Sequence, residues 1–478
     1  MMSKAHRLHP AAIMFYLYKE LRSIILPAFF MLIALLNSSV MIMILVITLL
    51  ILVVITKCLL RYFTFSYQLL DHEILVKSGI FVKKVNHVPY DRIQNITSNQ
   101  WFFLKPFGLE ELEIETAGHS EGPEVSLAAV SVKLKDELNK YRSEVDTADK
   151  SKNVSRETFS GESYSITWRE LLKFSLTSPA FLSGLLAILA IYGKVQNGIS
   201  KKFYALAANE MQHLGVILIV VGLFLVMLIF YIVSVLILIA KYYHFNLVKV
   251  NNKLQMQYGL FKTKKTSIAT SRVQAVVVKQ ALLRRFLKIA TVKLVIISNS
   301  KKEDTEKDII IMPVIETAQL EEFLNRFFPD IAVDKLKIKD PLPKTYYYDL
   351  RNALIFAVIG DVIFGILFYA IVWLVLSFVL LSLIFCMVPA YLRARRSNLS
   401  IIDKNYLYLT NNHLFTKNSY FIPKSSIQLV ERRQSIWLEK NLFAHLRINC
   451  RSGVGERVIM VKYLSADWVD EVVRWYKS

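Results

Sequence analysis

The segment Glu73-Ile74-Leu75-Val76-Lys77-Ser78-Gly79-Ile80, followed by Pro89-Tyr90-Asp91-Arg92-Ile93-Gln94, decides how the chain is read, because its pattern occurs three times. Within Tyr67 to Ala117 it spells a strand from Glu73 to Lys77, a turn at Ser78-Gly79 and a second strand. The pattern returns as Gly259-Leu260-Phe261 with Ser271-Arg272-Val273-Gln274, and again as His413-Leu414-Phe415 with Ser425-Ser426-Ile427-Gln428, at the same internal spacing. A second glutamine follows at one distance in every copy (Gln100, Gln280, Gln434). Then come a bulky apolar stretch (Trp101-Phe102-Phe103-Leu104, Ala281-Leu282-Leu283, Ser435-Ile436-Trp437-Leu438) and an alternating segment (Leu112-Ile114, Val292-Leu294, Leu446-Ile448). Coincidences at fixed offsets mark an internal repeat, with a unit larger than the usual solenoid period.

Each copy is preceded by a long apolar block. Apolar residues make up 54 % of the 478-residue chain, above the roughly 45–50 % of soluble domains, and membrane spans account for the excess. Ile24 to Ile55 carries no charge and is interrupted by Asn37-Ser38-Ser39; it exceeds the ~20 residues of one span and fits a helical hairpin, one long tilted helix being the rival. Phe181 to Tyr192 and Leu214 to Ala240 flank a polar loop from Lys194 to His213, and Ala353 to Leu392 is long enough for two more spans. Six spans in three pairs are expected. His6 to Ser23 reads as an amphipathic lead-in.

The expected organisation is lead-in and first pair 1–62, first β-rich module 63–142, flexible linker 143–165, second pair 166–242, second module 243–328, linker 329–347, third pair 348–394 and third module 395–478. The first linker is polar and poor in large apolar side chains; the second, with Pro341 and Pro343, is a stiffer spacer. Each module ends in a helix-like tail: Val132 to Tyr141; Leu320, Phe323, Leu324 and Phe327; Trp468, Val469, Val472, Val473 and Trp475. Ser131, Thr317 and Ser465 are candidate N-caps.

The net charge is +21. Lys57, Arg61, Arg169, Lys173, Lys241, Arg351, Arg393, Arg395 and Arg396 flank the spans on the side of the modules, which the positive-inside rule makes cytoplasmic together with the N-terminus. Acids and bases balance over Lys57–Arg142, whereas Lys241–Asp330 and Arg393–Ser478 each carry an excess of about eight bases. Lys262, Lys264, Lys265, Arg284, Arg285 and Lys288 in the second module, and Arg432 and Arg433 with Lys440, Arg447 and Arg451 in the third, are the candidates for contact with anionic lipid. The bases are tied to spans and interspersed with strand residues, which argues against nucleic acid.

At these residues the chain resembles the bacterial pleckstrin-homology-like membrane proteins of the YdbT type. The resemblance is carried by Gly79-Ile80, by Pro89-Tyr90-Asp91-Arg92-Ile93-Gln94, by Leu104-Lys105-Pro106-Phe107-Gly108-Leu109 and by Thr116-Ala117-Gly118. The second copy keeps Gly259, Arg272 and Gln274 but has Ala269 in place of the proline; the third keeps Pro423 and Gln428 but has His413 for the glycine and Ser426 for the arginine. The resemblance covers essentially the whole chain. It implies an α+β membrane protein whose three modules are small β-barrels closed by a C-terminal helix. It also points to protection against circular or leaderless bacteriocins. The partners expected are anionic membrane lipids and a second membrane protein of the same family.

Four further signals in the sequence bear on function. Gly118-His119-Ser120-Glu121-Gly122 matches the nucleophile-elbow pattern, but Pro123 and a strand-like stretch follow where a helix is required. Arg92 and Arg272 offer planar forks for a phosphate, although the fixed spacing to Gln94 and Gln274 favours a structural role. Asp361 is an acid inside a span, which marks it as a candidate for proton or substrate handling. Cys58, Cys386 and Cys450 form no CxxC pair, and nine histidines show no metal-ligand spacing, so no cofactor or metal is expected. The expectation is a non-catalytic protein displaying PH-like modules at the membrane face in membrane-stress or antimicrobial-peptide resistance, with a recruiting scaffold or part of a transporter as alternatives.

Overall fold

The computed structural model describes residues 5–35, 40–80, 82–116, 124–147, 162–179, 216–250, 252–296, 308–339, 341–452 and 455–478. The apolar stretch Phe181 to Tyr192, its polar loop and the Gly118–Gly122 string lie outside the described residues. The chain divides into two compact units, one of Met1–Phe159, Ser175–Asn246 and Gln255–Ser267, the other of Ser160–Phe174, Leu247–Leu254 and Ile268–Ser478. The second module contributes to both.

In the first unit, α1 (Ala12–Leu35) and α2 (Val40–Thr64) precede strands β1 (Ser66–Leu69), β2 (Glu73–Ser78) and β3 (Lys84–Pro89), which form a three-stranded antiparallel sheet. A single 3-10 turn, Tyr90–Arg92, then turns the chain into β4 (Ile93–Trp101), followed by β5 (Leu109–Thr116), β6 (Val125–Ser131) and α3 (Lys133–Thr147). Tyr90, Ile93, Leu112, Ile114, Leu127 and Leu138 are fully buried between the strands and α3, with Phe15 and Tyr16 of α1 in the same core. At least Leu138 of the apolar pattern expected in the tail thus faces inward.

Gly79 shows why its type recurs. It has φ of 114°, and Gly259 has 117°, a left-handed conformation in which a Cβ would strike the carbonyl oxygens of Val82 and Lys262 respectively. The third copy carries His413 there and moves the positive φ one residue on, to Leu414 at 50°.

The second unit contains β7 (Glu162–Ser165) and most of α4 (Trp168–Leu176); α5 (Val216–Tyr242) belongs to the first, and β8 (Asn246–Val250), β9 (Lys253–Tyr258) and β10 (Lys262–Ala269) are divided. The second unit continues with β11 (Val273–Gln280), α6 (Leu282–Phe286), β12 (Ile289–Ile296), β13 (Ile309–Glu316) and α7 (Leu320–Phe327). Two long helices, α8 (Pro343–Leu367) and α9 (Val372–Arg396), lead to β14 (Asn398–Ile401), β15 (Tyr406–His413), β16 (Thr416–Pro423), β17 (Ile427–Arg433), α10 (Ile436–Glu439), β18 (Phe443–Ser452), β19 (Gly455–Ser465) and α11 (Ala466–Lys477). Phe323, Leu324 and Phe327 of α7 and Val469 and Val472 of α11 are buried, the faces their spacing predicts.

Among the described residues, four helical segments are long and apolar enough to cross a membrane: Val40–Thr64, Val221–Tyr242, Pro343–Leu367 and Val372–Arg396. The stretch expected to be a flexible linker carries α3 as far as Thr147 and β7 from Glu162. Tyr164 orders this strand, its ring 5.9 Å from Phe323 and its hydroxyl donating to Gln319 at 2.8 Å.

The strands do not pair as three self-contained barrels. In the first unit β4 pairs antiparallel with β10, Gln100 opposite Thr263 and Asn99 opposite Lys264. In the second, β11 pairs with β16, Gln280 opposite Lys417 and Val277 opposite Tyr420. By the repeat spacing Thr263 and Lys417 are equivalent, as are Gln100 and Gln280, so the two seams share one register. Ala275 and Val277 of β11 enter one core with Leu409, Tyr420 and Ile422 of the third module.

Candidate functional site

The repeated signature builds the hinge of each module. In every copy the first residue of the 3-10 turn donates its backbone N–H back across the hairpin: Tyr90 to His72 at 3.1 Å, Thr270 to Asn252 at 2.9 Å and Lys424 to Asn405 at 2.7 Å. The position tolerates proline or alanine before it because that residue is extended in all three, with ψ of 139°, 132° and 139°. Arg92 and Arg272 end the first two turns, the former exposed and the latter half-buried; Gln274 is buried and Gln428 exposed. Gln94 enters β4, its side chain outside the described set.

The second glutamine has a shared task that the sequence marks without explaining. Gln100 Nε2 donates to the carbonyl of Leu109 at 3.4 Å, Gln280 to Ile289 at 3.3 Å and Gln434 to Phe443 at 2.8 Å. Each bond spans nine residues and pins a short loop, here called the knuckle, onto its own sheet. The knuckles carry the bulky stretch of the repeat, and Phe102, Phe107, Leu283, Phe286, Ile436 and Trp437 on them are exposed.

A second recurring feature joins helices. Glu20 of α1 is 2.8 Å from Lys57 and 3.8 Å from Arg61 of α2, and Asp349 of α8 is 3.5 Å from Arg393 of α9. Both acids are buried, so each requires its cation. Glu170 holds the corresponding place on α4, where it accepts from Thr167 N at 2.9 Å and Thr167 Oγ1 at 2.7 Å. Asp361 accepts from Ser382 Oγ of the neighbouring helix at 2.6 Å, which satisfies one oxygen of an acid that the sequence left alone.

The basic residues separate into distinct settings. Lys262 lies in the seam, 4.8 Å from the centre of the Trp101 ring and 4.0 Å from Glu111, while Lys264 and Lys265 stand opposite Asn99 and Ser98. Burial pushes the Glu111 and Glu110 carboxyls up; Lys262 opposes this at Glu111, and the Ser98 hydroxyl, Lys135 and Lys265 oppose it at Glu110. Glu111 also accepts from Asn99 at 3.2 Å and Trp101 at 3.3 Å.

Arg284 is buried, donates to Thr291 at 2.6 Å and stacks 4.4 Å over Phe174. Arg432 pairs with Asp470 at 3.2 Å and Arg433 with Glu431 at 2.7 Å. Arg285 and Lys288 remain exposed on the second knuckle. Among the described residues no cluster of three or more His, Cys, Asp or Glu is placed to hold a metal.

The chain is 23 % identical to the UPF0699 transmembrane protein YdbT of Bacillus subtilis (strain 168) over 497 aligned positions, covering 100 % of this chain and 99 % of that protein. The profile of the bacterial PH domain matches residues 22–145, 206–327 and 354–478, each match taking in one module with helix before it. Three matches spanning most of its length make this chain a member of the bacterial PH domain family.

Proposed function

We propose that the protein is a non-catalytic, multi-pass protein of the bacterial cell membrane whose six spans, in three pairs, hold three PH-like modules against anionic lipid at the cytoplasmic face. The observation that carries the reading is the acid–base latch at the module end of the helix pairs, Glu20 to Lys57 and Asp349 to Arg393. It ties the entry of one helix to the exit of the next directly before the strands begin, where Arg393, Arg395 and Arg396 stand together. Basic helix ends favour the cytoplasmic side, and several weak contacts on one chain act together through their high effective concentration.

The cellular role in this reading is tolerance of membrane stress, in particular of bacteriocins and other membrane-active peptides, and a second membrane protein of the same family is its companion. The test is survival of a deletion strain and its complemented parent across circular, leaderless and cationic peptides. Selective sensitisation restored by the wild-type gene supports protection; unchanged survival with normal expression removes it. A second reading, recruitment of a protein partner, is favoured by the edge of β3, where Lys84, Val85 and His87 are exposed; pull-down with the full chain in detergent separates the two.

A further inference from the structure

Several apolar side chains that a soluble module would hide are carried on tips and knuckles, some of them held against the long helices. In the first unit the hairpin tip Gly259-Leu260 is bonded to the exit of α5, Gly259 N donating to Tyr243 O at 2.8 Å and Leu260 N to Ala240 O at 2.9 Å. The first knuckle joins it there: Phe102 N donates to Phe261 O at 2.8 Å and the two rings are 6.4 Å apart. In the second unit the equivalent tip lies deeper along a helix, the Phe415 ring 6.0 Å from Phe385 of α9. Phe385 is eight residues before Arg393, about 12 Å along the axis. The third knuckle sits at the entry of α8, with Asn441 Oδ1 3.4 Å from Lys344 Nζ.

Leu260, Phe261 and Leu414 of the tips are exposed, and Phe286 and Trp437 of the knuckles reach 77 % and 79 % exposure. Lys105, Arg285, Lys288 and Lys440 flank them and are exposed as well. Apolar tips bordered by cations and held beside long apolar helices match the head-group and acyl boundary of a bilayer.

We infer that the tips and knuckles are wedges inserted into the leaflet that the chain's own helices enter, so that each module is anchored by apolar contact with lipid as well as by charge. The inference rests on the reading that α9 and its fellows cross a bilayer. It predicts that lipid contact survives high salt, which weakens head-group attraction but not apolar burial.

The test uses the full chain in phosphatidylcholine vesicles, with and without phosphatidylglycerol, carrying bromine on the acyl chains. Subtracting the fluorescence of Trp437→Phe from that of wild type isolates Trp437, and Trp373→Phe isolates Trp373 within α9. Both Trp contributions are expected to lose most of their intensity to brominated lipid, to resist aqueous acrylamide and to be unchanged by salt. Phe286→Trp in the Trp437→Phe background is expected to behave likewise and extends the reading to the second knuckle.

Loss of the Trp373 signal without loss of the Trp437 signal overturns the wedge and leaves the spans standing. Loss of neither overturns the membrane reading itself. Quenching of Trp437 by acrylamide, or by neither agent, assigns the knuckle to solvent or to a protein partner, and quenching that disappears in salt assigns the contact to charge alone.

Discussion

The carboxylate of Asp349, near the start of α8, lies 3.5 Å from the guanidinium of Arg393, near the end of α9, and only the acid is deeply buried: its side chain is 2 % exposed against 37 % for the arginine. The partners therefore depend on each other unequally. Arg393→Ala strands a buried carboxylate and is expected to cost about 3 kcal/mol, whereas Asp349→Asn leaves an arginine that water can reach and is expected to cost about 1 kcal/mol. Thermal unfolding of the detergent-solubilised protein checks the order; equal effects would mean that the latch is not limited by burial of the acid.

Gly259→Ala is expected to be among the most damaging single-methyl changes in the chain. Left-handed backbone costs an alanine roughly 1–2 kcal/mol, and the added carbon also strikes the Lys262 carbonyl at the tip. His413→Ala, at the equivalent position in the third module, is expected to be nearly neutral because the left-handed residue there is Leu414. Proteolytic susceptibility of the two variants compares them directly.

Gln434→Ala removes the bond to the Phe443 carbonyl, for an expected loss of about 1 kcal/mol. The loss should be local. Hydrogen exchange is expected to accelerate at the amides of the knuckle and remain unchanged in the strands beyond it; the same holds for Gln280→Ala on the second knuckle.

Lys293, buried in β12, supplies a pH test. Burial, then the neighbouring Lys279, pushes its ammonium down to about 8. The folded state thus binds this proton less well than the unfolded chain, and stability rises as pH climbs from about 8 toward the ordinary lysine range. Lys293→Met is expected to raise stability at pH 7 by as much as about 3 kcal/mol, and the advantage should shrink through that window. Melting curves across the window check it; an advantage independent of pH would point to packing instead.

Much of this was legible in the residues. The glycines, the proline-to-arginine turns, the paired glutamines and the terminal helices all recur at fixed offsets, since each answers a local demand of backbone geometry. What escaped was set by partners distant in sequence. Nothing in Lys262, Lys264 and Lys265 says that they face Trp101, Asn99 and Ser98 across a seam, because strand pairing between modules leaves no periodic trace in either strand. Asp361 was recognisable as an acid in an apolar run, yet Ser382 as its donor depends on how two helices pack. The linker expected before the second pair of spans contains Tyr164, a single aromatic residue whose docking on Phe323 no composition count reveals.

The seams have one more consequence, because they join unlike edges. Such a joint has direction: the edge of one module meets the opposite edge of the next, a head-to-tail contact and not a self-matching one. Where β4 presents Thr97 and Ser98 and β11 presents Val277 and Val278, all buried, β17 presents Glu431 and Arg432 at the corresponding places, with Arg432 turned to Asp470. Charges on an open edge resist the approach of another strand. The edge of β17 is thus written in residues that keep their water, where the matching residues of β4 and β11 have given theirs up to a neighbouring strand.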